Sequence, residues 1–293
     1  MTVERFIRVM ILIILILAGY QWLIAAYLTD VSVQVTQPNG NVINCFASGD
    51  EYHNWLHDAE GYTIIQSPIT GNYTYAIQSG DTVSASDLIV GINNPQLAGL
   101  TPRINISSAE YQQRRTAAFP VPEMRNAPTT GTINNIVIYI RFNGNSEFGQ
   151  SISTYGGWFN SSASSLKNYF LESSYQQLTV NTTFYPTPST MVVSWQDSHP
   201  RGYYSPYNAA TNTIGYSDSN ERLIREHTLL VNAVNGVSSQ VPTGLNIDGN
   251  NDGLVDNVCF IIKGSTDAWA SLLWPHRWSL YSQTVYINNK RVY

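Results

Sequence analysis

Alternating apolar and polar positions predict strands in the first third of the chain. Residues 31–35 and 42–47 alternate in this way, and a Pro-Asn-Gly sequence at 38–40 marks a turn between them. Residues 62–66 and 72–77 show the same pattern on either side of a second stretch rich in turn residues. We therefore expect two antiparallel hairpins, each with one face buried.

Helical spacing replaces this alternation in two stretches of the same region. Apolar side chains recur at helical spacing in residues 50–57, and a more polar helical pattern covers residues 106–118. The hairpins and helices together predict a small α+β module over residues 29–118, which we term the first unit. A proline-rich stretch at residues 119–132 follows and predicts an exposed linker.

A near-continuous apolar run at residues 136–142 lies near the start of the second unit, residues 133–293. Such a run is typical of a strand that is covered on both faces. Amphipathic spacing predicts helices over residues 162–175 and 219–234. The order of elements predicts an α+β fold in which helices pack against a mixed sheet. The remaining strands are expected at residues 178–185, 192–195 and 255–263, and as a hairpin at 285–292.

The first 28 residues have the pattern of an export signal. Arg5 and Arg8 precede an unbroken apolar run at residues 9–18, as in the charged and apolar regions of a signal peptide. The apolar stretch continues to Leu28, about the ~20 residues that span a bilayer. The pattern favours a cleaved signal peptide over an uncleaved anchor, and membrane contact is expected only for the anchor. In both cases the remaining chain is expected to be secreted or held in the outer envelope.

Composition agrees with export and argues against nucleic acid as a partner. Only 12% of the residues are charged, about half the usual share, while tyrosine (19) and tryptophan (7) are abundant. The formal net charge is −5, and no basic run interleaved with aromatic residues occurs. Cys45 and Cys259 lie in different units, so we expect two buried, unpaired side chains rather than a disulfide.

The densest group of candidate ligands is the sequence D-G-N-N-D-G-L-V-D at residues 248–256, which we term the candidate calcium loop. Oxygen-bearing side chains occupy loop positions 1, 3, 5 and 9, and glycine occupies position 6. Because Ca²⁺ binds about six to eight oxygen ligands and glycine permits the sharp turn between them, this spacing predicts a calcium site. The expected ligands are the side chains of Asp248, Asn250, Asp252 and Asp256 and the carbonyl of Leu254.

Two features separate this loop from an EF-hand. Position 12 is Cys259 rather than glutamate, and residues 257–262 predict a strand rather than a helix. The last ligand is therefore expected to come from elsewhere in the chain or from water. The alternative interpretation is a surface turn without a metal, because Asn, Asp and Gly also favour turns.

The histidines lack the sequence context of zinc ligands. His53 and His57 are four residues apart on a predicted helix, but asparagine follows His53 where the H-E-x-x-H motif has glutamate. We interpret both as helix-surface side chains. His227 follows Glu226 instead of preceding a glutamate. His276 lies between two tryptophans and is expected to be either catalytic or fixed in an aromatic corner.

Several motifs together resemble the immune-inhibitor-A-like secreted zinc metalloproteases. Residues 45–62, which include the Gly-Asp-Glu-Tyr string at 49–52, resemble the start of that family's propeptide. The resemblance covers residues 40–293. Four further segments resemble the first half of the family's catalytic domain: residues 136–142, 166–175, 250–256 and the Leu-Trp-Pro-His-Arg-Trp-Ser-Leu segment at 273–280.

This resemblance implies a zincin-like fold, in which zinc held by H-E-x-x-H activates water for the hydrolysis of peptide or protein substrates. In the family, the zinc-binding helix would follow the hairpin at residues 285–292, and this sequence contains no H-E-x-x-H motif. The resemblance therefore implies a propeptide and the N-terminal part of a metalloprotease catalytic domain. It implies calcium in this chain, no catalytic residue and no zinc ligand here, and zinc only in the full-length protein.

Two other functions remain open on the sequence. One is a non-enzymatic exported binding protein that is stabilised by calcium. An H-E-x-x-H motif further downstream in the reading frame would distinguish a protease precursor from it. The other is a carbohydrate-binding module, which the abundant tryptophan and tyrosine suggest.

Overall fold

A computed structural model of the chain describes residues 27–50, 52–118, 127–264, 276–277 and 279–293. The expected leader, residues 1–28, lies almost wholly outside these ranges, as do residues 119–126 of the expected linker. Within the described ranges, no helix has both the length and the apolar composition that crossing a bilayer requires.

The first unit contains a six-stranded antiparallel sheet in which strands that follow each other in sequence are neighbours. Short turns suffice for this order, because antiparallel neighbours need no crossover. The two expected hairpins are confirmed, and a further strand, β6, extends the sheet. The strands are β1 (Leu28–Thr36), β2 (Val42–Gly49), β3 (Asn54–His57), β4 (Thr63–Gln66), β5 (Tyr73–Ser79) and β6 (Thr82–Ile89).

The helix expected at residues 50–57 is wrong, because Asn54–His57 form β3. The Asp50 carboxylate accepts hydrogen bonds from the amides two and three residues further on, at 2.9 and 3.0 Å, and so closes a turn before β3. In β3, Trp55 and His57 share one face, with ring centroids 4.4 Å apart, while Leu56 enters the core. Side chains in β3 therefore alternate between the two faces of the sheet every second residue, instead of repeating every 3.6 residues as in a helix.

The second helix prediction of the first unit is confirmed. Helix α1 spans Ser108–Ala118 and begins close to the expected boundary. The Tyr111 hydroxyl donates to Asp50 Oδ2 at 2.5 Å, and the Tyr111 ring packs edge-on against Tyr52. Helix α1 is thereby attached to the turn that precedes β3.

Strand β7 (Gly131–Arg141) forms the centre of the sheet in the second unit. It lies between β8 (Leu178–Tyr185) and β10 (Val258–Ile262). The short strand β9 (Trp195–Gln196) pairs with the C-terminal end of β7, beyond the residues that pair with β8. All these pairings are parallel, which corrects the expectation of a mixed sheet for the described strands. Parallel neighbours need crossovers, and helices α2 (Ile152–Asn160), α3 (Leu166–Ser173) and α4 (Ser219–Val237) provide them.

Strand β7 is buried on both faces, as its apolar run predicts. Ile136, Ile138 and Ile140 pack on one side against the apolar stripe of α4. Val137 and Tyr139 pack on the other side against α2 and its neighbours. The chain is thus α+β, with helices on both faces of this sheet.

The hairpin expected at residues 285–292 is confirmed and consists of β11 (Val285–Ile287) and β12 (Lys290–Val292). It packs on the α4 side of the core. The two residues between the strands, Asn288 and Asn289, have φ values of 48° and 64°. Positive φ at both positions is what a type I′ hairpin turn requires, and asparagine tolerates it better than most residues. The sequence signal for this hairpin is therefore local.

Both cysteines are unpaired, as expected. Cys45 lies in the core of the first sheet, where burial raises the pKa of its thiol to about 11. Burial also raises the pKa of the Cys259 thiol in β10. Thiols in such surroundings act as small apolar packing groups rather than as nucleophiles.

The packing of α4 against β9 predicts opposite effects for two glycine substitutions. A Cβ on Gly236 of α4 would overlap the indole of Trp195, whereas one on the exposed Gly157 of α2 would meet nothing within 4 Å. We expect Gly236→Ala to lower the free energy of unfolding by about 1–3 kcal/mol through overpacking. Gly157→Ala should raise it by about 0.5–1 kcal/mol, because alanine favours the helix. Urea denaturation measures both, and equal effects would contradict this packing.

Candidate functional site

The candidate calcium loop is attached by its backbone to the hairpin β11–β12. The Val255 amide donates to the Arg291 carbonyl, and the Arg291 amide donates to the Gly253 carbonyl, both at 2.9 Å. These bonds form a parallel bridge between Leu254 and Arg291. The Leu254 amide points the other way and donates to Asp252 Oδ1 at 2.9 Å.

Asp248 is the most buried carboxylate of the loop, with 1% of its surface exposed. Its two oxygens accept hydrogen bonds from the amides of Asp252 (2.9 Å) and Gly253 (3.0 Å). The ammonium of Lys290 donates to Oδ2 at 2.7 Å. Burial raises the pKa of Asp248, but the Lys290 ammonium and the two amides outweigh burial and hold the pKa below its usual value.

Asp256 lies at the other end of the loop, and its pKa is raised, whereas that of Asp248 is lowered. Its Oδ2 accepts a hydrogen bond from the Gly249 amide at 2.9 Å. Burial raises the pKa of Asp256, and the negative charges of Asp248 and Asp252 raise it further, against the effect of that amide. Neighbouring carboxylates therefore repel each other here, and a divalent cation would remove that repulsion.

All five expected ligand residues lie in this one turn. The Asp252 carboxylate also accepts a hydrogen bond from the Asn250 side chain at 3.0 Å. Among the described residues, no group of three or more His, Cys, Asp or Glu side chains is arranged to hold a metal ion. The donor set is all oxygen and carries excess negative charge, which fits Ca²⁺. Calcium binding would require Asn250 to present its side-chain oxygen to the ion instead of donating from Nδ2 to Asp252. It would also require the Lys290 ammonium to move away from Asp248 Oδ2.

A second polar cluster joins α4 to the segment at residues 276–283, and sequence reasoning missed most of it. Three consecutive side chains of α4 each contact this segment. The pairs are Glu226 Oε1 with His276 Nε2 (2.6 Å), His227 Nδ1 with the Ser282 hydroxyl (2.5 Å), and Thr228 Oγ1 with the Gln283 amide nitrogen (2.8 Å).

This cluster places His276 in contact with an acidic group and His227 in contact with a hydroxyl group. Glu226 is 5% exposed and His227 is fully buried. Burial lowers the pKa of His227, and the nearby His276 lowers it further, while Glu226 raises it. His276 is the hydrogen-bond partner of the buried Glu226 carboxylate. Its flanking tryptophans, at positions 274 and 278, lie outside the described residues.

His53 and His57 are not the helix-surface side chains that the sequence pattern suggests. His57 is 6% exposed, and its Nε2 lies 2.9 Å from the Ser48 hydroxyl and 3.3 Å from Asp30 Oδ1. His53 contacts the Asn105 side chain through Nε2. Both rings are thus held by neighbours in the first unit.

A cavity of about 570 Å³ lies between α2 and α3 in the second unit. Trp158 and Tyr169 line it and are 53% and 64% exposed. Asn168 and Glu172 add polar groups to the same wall. Exposed rings beside an amide and a carboxylate make this cavity the place where the carbohydrate-binding hypothesis would apply.

Comparison of the chain with protein-family models, with curated proteins and with solved structures finds no match. The resemblance to the metalloprotease family therefore rests on the sequence motifs alone.

The burial of His227 predicts a loss of stability in acid. A histidine whose pKa is lower in the folded state takes up its proton more readily when unfolded. The free energy of unfolding should therefore fall as the pH drops below about 6.5, by at most about 1.4 kcal/mol per pH unit for one such group. Urea denaturation between pH 7 and 5 measures this slope.

His227→Gln should reduce that slope, because it removes the buried ionisable ring. His199→Gln provides the control, since the His199 side chain is 42% exposed. An unchanged slope in His227→Gln would show that another group controls the acid response.

Proposed function

We propose that this chain is the N-terminal part of a secreted zinc metalloprotease precursor, and that its candidate calcium loop binds Ca²⁺. The sequence motifs of residues 40–293 support the protease assignment. The single observation that carries the calcium assignment is that Asp248, Asp252 and Asp256 lie in one turn, where burial and then the negative charges of Asp248 and Asp252 raise the pKa of Asp256. Residues 29–118 would be the propeptide, and residues 133–293 would belong to a zincin-like catalytic domain.

The position of the loop gives calcium a structural task in such a precursor. Its backbone is bonded to Arg291 of the β11–β12 hairpin through Val255 and Gly253, and these bonds do not involve the Asp248–Lys290 pair that calcium would displace. The family's zinc-binding helix would follow this hairpin. A calcium ion in the loop would therefore fix the segment that leads into the zinc site. Outside the cell, calcium is abundant enough for weak binding to suffice.

A second candidate is a non-enzymatic exported protein that calcium stabilises. The observation that favours it is the absence of H-E-x-x-H from these 293 residues. In this alternative, the calcium loop has the same structural task, and the exposed aromatic side chains serve binding instead.

Calcium should raise the thermal stability of the chain. At a Ca²⁺ concentration of about 100 times Kd, binding to the folded state adds about 2.7 kcal/mol, or roughly 5–10 °C in Tm. Scanning calorimetry with Ca²⁺ or with excess chelator measures the difference. Asp252→Asn should abolish it, because one charged ligand is lost.

The matched control for this variant is Asp87→Asn, which alters an exposed carboxylate of β6. It should keep the full calcium effect. A Tm that does not respond to calcium, or that still responds fully in Asp252→Asn, would contradict the calcium assignment.

The protease assignment predicts coding sequence beyond Tyr293 with an H-E-x-x-H motif in the same reading frame. It also predicts that the present chain does not hydrolyse casein when zinc is added, because the zinc ligands and the general base are missing. Sequencing of the locus and a casein assay with and without chelator are the measurements. A stop codon directly after Tyr293 would favour the non-enzymatic alternative. Chelator-sensitive hydrolysis would show that histidines of this chain hold zinc.

A further inference from the structure

The turn between β4 and β5 contacts a short loop of the second unit at residues 208–212. Asn208, which is 5% exposed, donates from its side chain Nδ2 to the Ser67 carbonyl at 2.9 Å. The amide of Ala209 donates to the Pro68 carbonyl at 3.3 Å. Two adjacent donors of the loop therefore bind two successive carbonyls of the turn.

Gly71 allows this turn to approach the loop closely. A Cβ on Gly71 would lie 2.7 Å from Thr211 Cγ2 and 3.4 Å from Ala210 Cβ, and the first distance is well inside van der Waals contact. Gly80, in the β5–β6 turn, has a similar backbone with φ of 59°, and a Cβ there would meet nothing within 4 Å. Both glycines have positive φ, 73° at Gly71 and 59° at Gly80, and they differ in their contact with the second unit.

The loop holds its shape through its own hydrogen bonds. Asn208 Oδ1 accepts from the amides of Ala210 (3.0 Å) and Thr211 (3.1 Å). The backbones of Asn208 and Asn212 exchange two hydrogen bonds of 2.9 Å each. The Asn212 side chain donates to the Gly202 carbonyl at 2.9 Å. These bonds do not involve the β4–β5 turn, and a loop that keeps them without the turn would lose less entropy on docking.

The turn is equally well fixed at its base. The buried Gln37 side chain accepts from the Tyr73 amide at 2.8 Å and donates to the Tyr73 and Val90 carbonyls at 2.9 and 3.1 Å. The Ser67 carbonyl, which Asn208 contacts, also accepts from the Gly71 amide at 2.9 Å. Two rigid, complementary surfaces thus meet at this contact.

We propose that residues 208–212 are a docking site for the β4–β5 turn, and that this contact fixes the orientation of the first unit on the second. The chemistry recognised is a tight peptide turn that presents two consecutive carbonyls and has glycine at its closest point. No charged side chain takes part in these hydrogen bonds, so the contact should depend little on ionic strength. The proposal is independent of calcium binding and of peptidase function.

Hydrogen exchange at single amides of the full chain tests this docking. In Gly71→Val, the Ala209 amide should exchange at least about tenfold faster, because it loses its acceptor in the turn. The Asn212 amide, bonded inside the loop, should stay protected and so report that the loop is still folded. Gly80→Val is the matched control and should leave Ala209 unchanged.

Asn208→Asp provides a second variant that does not disturb the turn. It keeps the Oδ1 that caps the loop and replaces the Nδ2 donor by an oxygen facing the Ser67 carbonyl. The Ala209 amide should again lose protection. The proposal is overturned if Ala209 stays protected in both Gly71→Val and Asn208→Asp, or if Gly80→Val exposes it equally.

Spin labels at two exposed positions give an independent measure of the orientation. Asp87→Cys lies in the first unit and Ser239→Cys lies in the second, while the native cysteines are buried or half-buried. The docked chain should give one narrow distance distribution. Gly71→Val should broaden it and Gly80→Val should not. A distribution that is broad in the unaltered chain would also overturn the proposal.

Discussion

Asp248 of the second unit has 1% of its surface exposed, and the negative charge of so buried a carboxylate needs hydrogen-bond donors or a positive charge beside it. Two backbone amides and the Lys290 ammonium supply the compensation in this structure. The Lys290 side chain is 36% exposed, so water screens its half of this ion pair while the carboxylate itself is buried. The loop and the last hairpin are therefore linked by charge as well as by backbone hydrogen bonds.

The chain just before the β11–β12 hairpin is attached to helix α4 by a second set of polar contacts. The Glu226–His276 pair and the contacts of His227 and Thr228 attach residues 276–283 to α4. The hairpin that follows is attached to the calcium loop through Lys290. Polar contacts at both places thus complement the apolar packing of β11 and β12 beneath α4. In the proposed precursor, this doubly anchored segment would lead into the zinc-binding helix.

Local patterns predicted the elements whose period is clear. The long amphipathic stretch of α4, the alternation of β8 and the Asn288-Asn289 turn each carry their own signal. β3 was misread because two aromatic side chains and a leucine in a short run fit both periods. α2 escaped prediction because it contains Gly156 and Gly157, which lower helix propensity.

Pairs that are distant in sequence could not be predicted from local patterns. The loop sequence alone identified Asp248, Asn250, Asp252, Leu254 and Asp256 as neighbours. Nothing in it indicates that Lys290, 42 residues away, contacts Asp248, or that Glu226 and His276, 50 residues apart, form a pair. These contacts depend on the parallel sheet, whose crossovers bring α4, the loop and the hairpin to one side.

The most direct test of the central claim is a crystal structure of the chain grown with calcium. We predict an ion bound by Asp248, Asn250, Asp252, Asp256 and the Leu254 carbonyl at about 2.3–2.6 Å, with the Lys290 ammonium displaced from Asp248. A loop that keeps the Lys290–Asp248 pair at saturating calcium, with no ion among these oxygens, would contradict the account.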